Sequence, residues 1–532
     1  MNTVLSLILA AAAALAPGSD SWLTGSFETN TILYNQDNKT AATVPDSHFG
    51  SNNYVKLDYN SGNFTAGLQL EAYEPVLVGY PGELESAALT NYYVSWNDDS
   101  FGVTAGTFYE QFGSGLLFRT WEDRALGLNN ALLGAKVTYS YKDIVSAKLI
   151  CGLPHFGMEF TDTQVKGADF SFSPSRLLGL DKVYLSLEGS LLNRYAKLSA
   201  DHEIEGCESG TTGWSARANF EASGFYFKGE YVDAGQKYYY DPQYAGAGNM
   251  YLKKRGNAQL IETGYNAKGL GIGLSLRRLE WMDSKIVSDN PSSSNMLNYI
   301  PAMCTQYTYM LTTMHPYSSR TGEVGLGFVN SGEMGGQLDV YYNFRRGTLL
   351  GGKRGTKVHA NFSTYYAIAR EGTFAPGNLL FRDFSADMEK YWNKQFKTVL
   401  LYSFQEYNPS YGMDSATWKS HIVVADLLYK YNKNFSTRME LQYLHTLSDK
   451  KDWVAALLEV NFAPRWSVYV SDMYNLGLTK INYYNGGFAY TKSRTRLSIS
   501  YGRYKAGYIC SGGVCRQIPA YTGLNFALTT SF

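Results

Sequence analysis

From Trp22 to its end the chain repeats one unit: about ten residues that alternate apolar and polar, a break, then another ten. Phe64, Ala66, Leu68, Leu70 and Ala72 share one face of such a segment, and Thr65, Gly67, Gln69 and Glu71 share the other. Val454 to Phe462 and Thr495 to Tyr501 repeat the pattern. A soluble β-sandwich alternates as well, so period alone does not decide the fold class. Length does. Segments of about 9–13 residues suit a tilted membrane crossing, whereas soluble strands run about 5–6. Tyr34, Tyr59, Tyr73, Trp96, Tyr109, Tyr141, Tyr231, Trp453 and Trp466 fall near segment ends, where headgroup layers favour amphipathic rings.

The ends of the chain agree with that reading. Residues 4–16 form an apolar run too short to span a bilayer, followed by Ala14-Leu15-Ala16, which fits a secretory cleavage site. An export signal over residues 1–20 is therefore expected, cleaved within 16–21, ahead of a single barrel domain over 21–532. At the other end Leu524, Phe526, Leu528 and Phe532 share a face and the chain stops on the aromatic. This resembles the insertion signal that barrel-assembly machinery reads. No later apolar run reaches about 18 residues, which excludes helical spans. With 47 basic and 47 acidic residues the formal net charge is zero. Together with 45% hydrophobic residues, that balance excludes disorder and disfavours nucleic-acid binding.

Counting back from Phe532 tests the topology. If the last strand ends in the periplasm, inner turns are predicted at 491–493, 463–465, 431–434, 391–394, 346–354, 316–319, 267–268, 222–223, 174–181, 142–143, 98–99 and 61–63. Nearly all are short and rich in Asn, Gly, Asp, Lys or Pro, as tight turns require. The long connections fall on the other side, among them 110–130, 234–255, 281–304 and 503–520. Short inside and long outside is the asymmetry of outer-membrane barrels. The expectation is an all-β, antiparallel transmembrane barrel of about 26 strands (24–26), both termini periplasmic. The lower number applies if a hairpin within 305–345 is mistaken. No plug or periplasmic module is expected before the first strand.

Three stretches carry a family resemblance: 106–135 (GTFYEQFGSGLLFRTWEDRALGLNNALLGA), 345–357 (RRGTLLGGKRGTK) and 501–519 (YGRYKAGYICSGGVCRQIP). They resemble an uncharacterised outer-membrane, porin-like barrel family of Bacteroidota. The resemblance implies the outer membrane of a diderm (Gram-negative) bacterium and no particular activity.

In this topology Cys151, Cys207, Cys304, Cys510 and Cys515 all fall at or beyond the outer rim. Cys510 and Cys515 enclose Ser-Gly-Gly-Val, a flexible hairpin tip that favours a disulfide over a metal site, since no His or further Cys adjoins it. The other three could supply one more bridge, with the pairing open. The seven histidines are scattered, and His421 beside Ser420 points to the opposite strand face. Gly113-Ser114-Gly115 reads as a turn, not a nucleophile, and no hydrolase, metalloprotease or phosphate-loop motif occurs. No catalytic, cofactor or metal site is expected.

A round barrel of that strand count has a radius of about 26 Å, too wide for wall side chains to fill. Connections are therefore expected to fold inward. The candidates are 110–130, with Glu110, Arg119, Glu122, Asp123 and Arg124, and 234–255, ending Lys253-Lys254-Arg255. Predicted lumen residues carry both signs: Lys56, Lys136, Arg217, Lys357 and Arg438 against Asp58, Glu71, Glu188, Glu230 and Glu440. Mixed signs imply a polar lumen without strong ion selectivity. Two functions follow. The first is passive diffusion of small polar solutes. The second is a non-conducting partner or scaffold, suggested by outer aromatics such as Tyr238-Tyr239-Tyr240. Outer-membrane lipid and the assembly machinery are the expected partners; oligomeric state is left open.

Overall fold

The computed structural model of the protein describes residues 21–196, 210–240, 251–287, 290, 292, 294–325 and 328–532. The expected export signal lies outside them. Twenty-four strands form a closed antiparallel barrel, each paired with its sequence neighbour. The barrel shuts where Ser21–Asn35 meets Tyr521–Ser531, in register from Ser26↔Ser531 to Asn35↔Thr522. Closure removes every free strand edge, which a lipid environment demands because no water is available to satisfy exposed amides. Both the first residue of the first strand and the last of the final strand lie at the end where the tight turns cluster. Among the described residues no helix is long and apolar enough to cross a membrane.

Alternation is converted directly into sidedness. In Val183–Tyr195, Leu187 and Leu191 stand exposed on the outside while Ser186, Glu188, Ser190 and Leu192 turn inward. In Trp466–Asn475, Val468 and Val470 face out and Tyr469 and Ser471 face in. Trp96, Phe101, Tyr141, Phe225, Tyr391, Trp392, Phe462 and Trp466 ring the turn end as an exposed girdle. Tyr34, Tyr73 and Trp453 do not join a girdle. They point into the barrel and are buried there, because the inward-folded connections give them something to pack against.

The turn end has the predicted parity. Residues 62–63, 98–100, 142–144, 223–224, 268–269, 392–395, 431–434, 463–465 and 493–494 are tight connections, with longer ones at 173–182 and 345–355. Ser223 and Gly224 both take positive φ, the conformation a two-residue hairpin needs to match strand twist. The predicted turn at 316–319 is not among them. Between Leu270–Glu280 and Gly332–Phe344, which pair directly, the chain makes one long excursion over 281–331. Its small hairpin, Glu323–Gly325 with Phe328–Asn330, stays outside the barrel sheet. The strand count is therefore 24, the lower of the two values, and the barrel radius about 24 Å.

Candidate functional site

Beside the 74–86 connection, which packs Leu84 against Tyr54 and Tyr73 under the rim, two longer connections enter the lumen from the loop end. The first, 109–131, is built of two short hairpins, Gln111–Phe112 with Phe118–Arg119 and Glu122–Asp123 with Leu128–Asn129. Its apolar side chains cannot stay in water, and they do not. Phe112, Leu116, Leu117 and Phe118 are buried against inward wall residues including Ile150, Val165, Leu192, Val232 and Leu260. The tip reaches mid-wall, where the Ser114 amide donates to Glu230 Oε2 at 3.2 Å. A Cβ on Gly113 would stand 2.5 Å from Arg217 Cδ, and its φ is +55°, so only glycine admits so close an approach.

Charge fastens this connection to the wall. Glu110 takes Lys148 at 2.8 Å and Lys136 at 3.4 Å. Burial would raise the Glu110 carboxyl, but its hydrogen bonds from Lys148 and the Gln111 amide, with both lysine charges, hold it below its ordinary value. Arg124 pairs with Glu122 and with Glu28 of the first strand, each at 2.7 Å, and lies over the Tyr54 ring. Arg119 stacks on Trp121 and Tyr299. The Asp123 carboxylate instead folds back to accept the Leu126 amide. Wall carboxylate Glu71 is reached by Asn129, not by an arginine; Gln69, Tyr73 and Thr90 complete its shell.

Lys253, Lys254 and Arg255 sit elsewhere. They belong to the long hairpin of Phe225–Tyr240 with Tyr251–Ala267, toward its loop end. Lys254 pairs with Glu371 at 2.7 Å, Arg255 with Asp233 at 2.6 Å, and Lys253 lies over Tyr238. None of the three meets 109–131 in these pairings. Tyr239, read as an outer aromatic, is buried against Trp281 and donates to its carbonyl at 2.9 Å.

The second inward segment, within 281–331, was not foreseen. Leu297 and Asn298 are joined to the first: the Arg119 amide donates to the Leu297 carbonyl, and Asn298 Nδ2 to the Leu116 carbonyl. Residues 305–309 then descend a further part of the wall and 311–315 climb back, His315 reaching Asp449 in the loop-end connection at 3.2 Å. Tyr307 donates to Asp387 at 2.7 Å, Tyr309 to Asp426 at 3.3 Å, and the Leu311 amide to Gln442 at 3.0 Å. Leu311 is fully buried among Leu401, Ile422, Val424 and Leu444. The return limb is held by Glu333, which accepts from Arg277 at 2.9 Å, from the Arg320 amide and from the Tyr317 hydroxyl. Two signals in the sequence pointed here. Alternation lapses from Trp281 on, with Pro301 and Pro316 inside the lapse, and the facing strands carry Leu400-Leu401 and Val423-Val424, apolar on both faces.

A third piece locks the two together. Gly507–Ser511 and Val514–Ile518 form a hairpin closed by the Cys510–Cys515 disulfide. Tyr299 donates to the Gly512 carbonyl and the Ala302 amide to that of Gly513. Arg516 donates to the carbonyls of Ala125 and Gly79 and lies over Tyr80 at 3.9 Å. Cys151 and Cys304 are free thiols; Cys151 faces outward mid-strand, not at the rim, and Cys304 is enclosed with Tyr365 and Phe381. Cys207 lies outside the described residues. Among the described residues no three His, Cys, Asp or Glu side chains form a metal-binding group.

The lumen is not filled evenly. Among the described residues neither inward connection hydrogen-bonds to the wall of Trp466–Asn475, Asn482–Lys492, Thr495–Tyr504 and Tyr521–Ser531 below the rim. That sector carries its own ladder: Tyr469 to Asn485 at 3.1 Å, Asn485 to Tyr504 at 2.7 Å, and Asn525 to Tyr504 at 2.9 Å. A cavity of about 240 Å³, of mixed polar and apolar lining, opens under the first connection between Lys56, Leu68, Asn91, Phe108, Glu122 and Lys136.

A sequence profile for a family of unknown function matches residues 1–532. The chain belongs to that family, DUF6029. No curated protein matches it. Among solved structures, the siderophore receptor PirA from Pseudomonas aeruginosa is 10% identical, with a TM-score of 0.43 over 97% of this chain and 81% of its own. The copper transporter OprC is 10% identical, with a TM-score of 0.41 over the same shares. An engineered variant of the Rh. blastica porin is 14% identical, with a TM-score of 0.27 over 65% of this chain and all of its own. The DUF6029 chain is a large closed β-barrel.

Proposed function

We propose that this protein is an outer-membrane channel for passive diffusion of small polar solutes, its path narrowed by the inward-folded connections. The observation that carries the reading is a wall sector whose polar side chains Tyr469, Asn485, Tyr504 and Asn525 hydrogen-bond to one another and, among the described residues, to neither inward connection. A barrel about 24 Å in radius cannot be filled by wall side chains, so what the connections leave free is a path for water and solute. The constriction falls to Glu110, Arg119, Glu122, Asp123 and Arg124. Lys253, Lys254 and Arg255 take the mouth. The host envelope belongs to a diderm bacterium, a member of the Bacteroidota on the family resemblance, with export by the signal over residues 1–20. The reading gives the chain no catalytic role.

Single-channel recording in planar bilayers tests it. Wild type should conduct, and replacing 113–127 with a short Gly/Ser turn should raise conductance without preventing assembly, because loop length is entropically cheap to change. A folded barrel that stays silent in both forms would refute the channel and favour the scaffold.

A further inference from the structure

The turn end holds two connections that neither strand pairing nor the channel requires, 173–182 and 345–355, and the second is the more strongly charged. Elsewhere most turns there use two to four residues, but Phe344 and Thr356 face each other directly and are joined by 345–355. This loop is built, not slack. Thr348 Oγ1 donates to the Arg345 carbonyl at 2.7 Å and accepts the Gly351 amide at 3.0 Å. The Gly347 amide donates to the Gly352 carbonyl at 2.7 Å, and Thr356 to that of Leu350 at 2.7 Å. What this frame presents is unusual. Arg345, Arg346, Lys353 and Arg354 are all exposed and form no ion pair among the described residues. Between them Leu349 is 98% and Leu350 59% exposed.

Among the described residues none of these four cations has a carboxylate partner. Glu389, on the strand paired with Thr356–Ile368, is already shared by Lys357 at 3.0 Å and Lys397 at 2.6 Å. Lys390 donates to the Leu350 carbonyl at 3.2 Å and lies over Trp392, tying the loop to the exposed aromatic girdle. In a chain of zero formal net charge, such a cluster is a strong local asymmetry. Two bare leucines flanked by cations at girdle depth match a headgroup layer, with phosphates for the cations and acyl chains for the leucines. An acidic protein would have to bring its own apolar patch between its carboxylates, whereas a phospholipid layer carries phosphate and acyl chain together.

We propose that the 345–355 loop is a docking surface for anionic phospholipid in the leaflet at the turn end. Each cation close to an anionic surface strengthens binding about five-fold. The proposal does not depend on whether the lumen conducts.

Native mass spectrometry of the purified full barrel, released from neutral detergent, tests it with dioleoyl phosphatidylglycerol against dioleoyl phosphatidylcholine. Wild type should retain phosphatidylglycerol preferentially. The R345Q/R346Q/K353Q/R354Q variant should lose that preference by at least about ten-fold while keeping the heat-modifiable gel mobility of a folded barrel. If the quadruple variant does not fold, R346Q/R354Q should show a partial loss. Equal retention of the two lipids by wild type, the result expected of a surface made for an acidic protein, would overturn the proposal. So would an undiminished preference in the folded variant.

Discussion

Breaking the Cys510–Cys515 crosslink should loosen the lumen contents while leaving the barrel intact. The bond spans a sequence separation of 5, so the chain-entropy relation gives about 7 cal/mol/K, or about 2 kcal/mol at 25 °C, lost from the hairpin in a Cys510→Ser/Cys515→Ser variant. The consequence is not confined to the hairpin. Gly512 and Gly513, between the two sulfurs, accept from Tyr299 and Ala302, while Arg516, next to Cys515, accounts for the contacts to Ala125 and Gly79. Each docked segment therefore depends on hairpin order. A loss of about 2 kcal/mol multiplies the undocked fraction by about 30. The barrel strands share none of these bonds, and thermal migration on gels should not change.

Hydrogen exchange reads this directly. The amides of Arg119, Tyr299 and Ala302 all donate to backbone carbonyls at contacts between these segments. Their protection should fall about 30-fold in the variant, and equally in wild type treated with dithiothreitol, with no change at Leu187 or Val468 in the barrel wall. Conductance should become noisier, with more frequent wide openings. Unchanged protection at those three amides would refute the keystone role of the hairpin.

Other perturbations separate the remaining parts. Phe532 is 60% exposed with its ring packed toward Gly25 and Leu57 on the outer face, so deleting it removes about 2 kcal/mol of apolar burial in lipid and should reduce the amount of assembled barrel, read by membrane fractionation. Normal levels would deny it a role in insertion. Leu311→Ala should cost about 2–5 kcal/mol locally and expose 305–315 to protease, since Leu311 is fully enclosed; unaltered cleavage would mean the descent is held by Tyr307 and Tyr309 alone. Burial would raise the Asp37 carboxyl, but hydrogen bonds from Arg503, Thr522 and the Lys39 amide outweigh it and hold it below 3.8. Its folded value being depressed, its contribution is present above 3.8 and lost as pH falls through the folded value. Protease sensitivity of 36–48 should therefore appear only in acid, and at neutral pH in Asp37→Asn.

The barrel was legible because an apolar exterior imposes a rule on every outward position. Val468 and Val470 must be apolar whatever the protein does, and the tight turns at Ser223-Gly224 or Asn432 must suit strand reversal, so period and parity survive in the sequence. The lumen obeys no such rule. Phe112 and Leu116 to Phe118 betrayed an inward connection because they are too apolar for an outer loop, yet their destination, Val165 or Leu260, is set by tertiary packing. The 281–331 excursion contacts the wall through Tyr307, Tyr309 and Leu311, a spacing of two that reads in the sequence as one more barrel strand and not as an inward segment. Asn129 stands where an arginine was expected as the partner of Glu71 for a related reason: neutral donors from its own strand, Gln69 and Tyr73, and from the next, Thr90, already fill that carboxylate's shell.

Those pairings change what the wall charges mean for permeation. Arg217 is taken by Asp169 and Glu188, Glu110 by Lys136 and Lys148, Arg277 by Glu333, and Arg438 by Asp426 and Glu440. Arg277–Glu333 is neutral, while the Arg217 and Arg438 clusters each keep one negative charge and the Glu110 cluster one positive, so fields of opposite sign partly offset one another. The sector that bonds to neither inward connection instead offers hydroxyls and amides: Tyr469, Ser471, Asn485, Ser500 and Asn525. Under the proposed function a tenfold KCl gradient should give a reversal potential near zero. Asn485→Asp would place one uncompensated carboxylate at the middle of that ladder, with the Tyr504 hydroxyl free to turn and donate to it. At an effective dielectric near 20, a fixed charge about 4 Å from a cation is worth about 4 kcal/mol before screening, and salt reduces that within about 10 Å. The variant should become measurably cation-selective, while the same change at Asn361, on the wall beneath the inward-folded segment, should not. A reversal potential unmoved by Asn485→Asp would mean that ions do not pass along this sector, and the path would have to be sought elsewhere in the lumen.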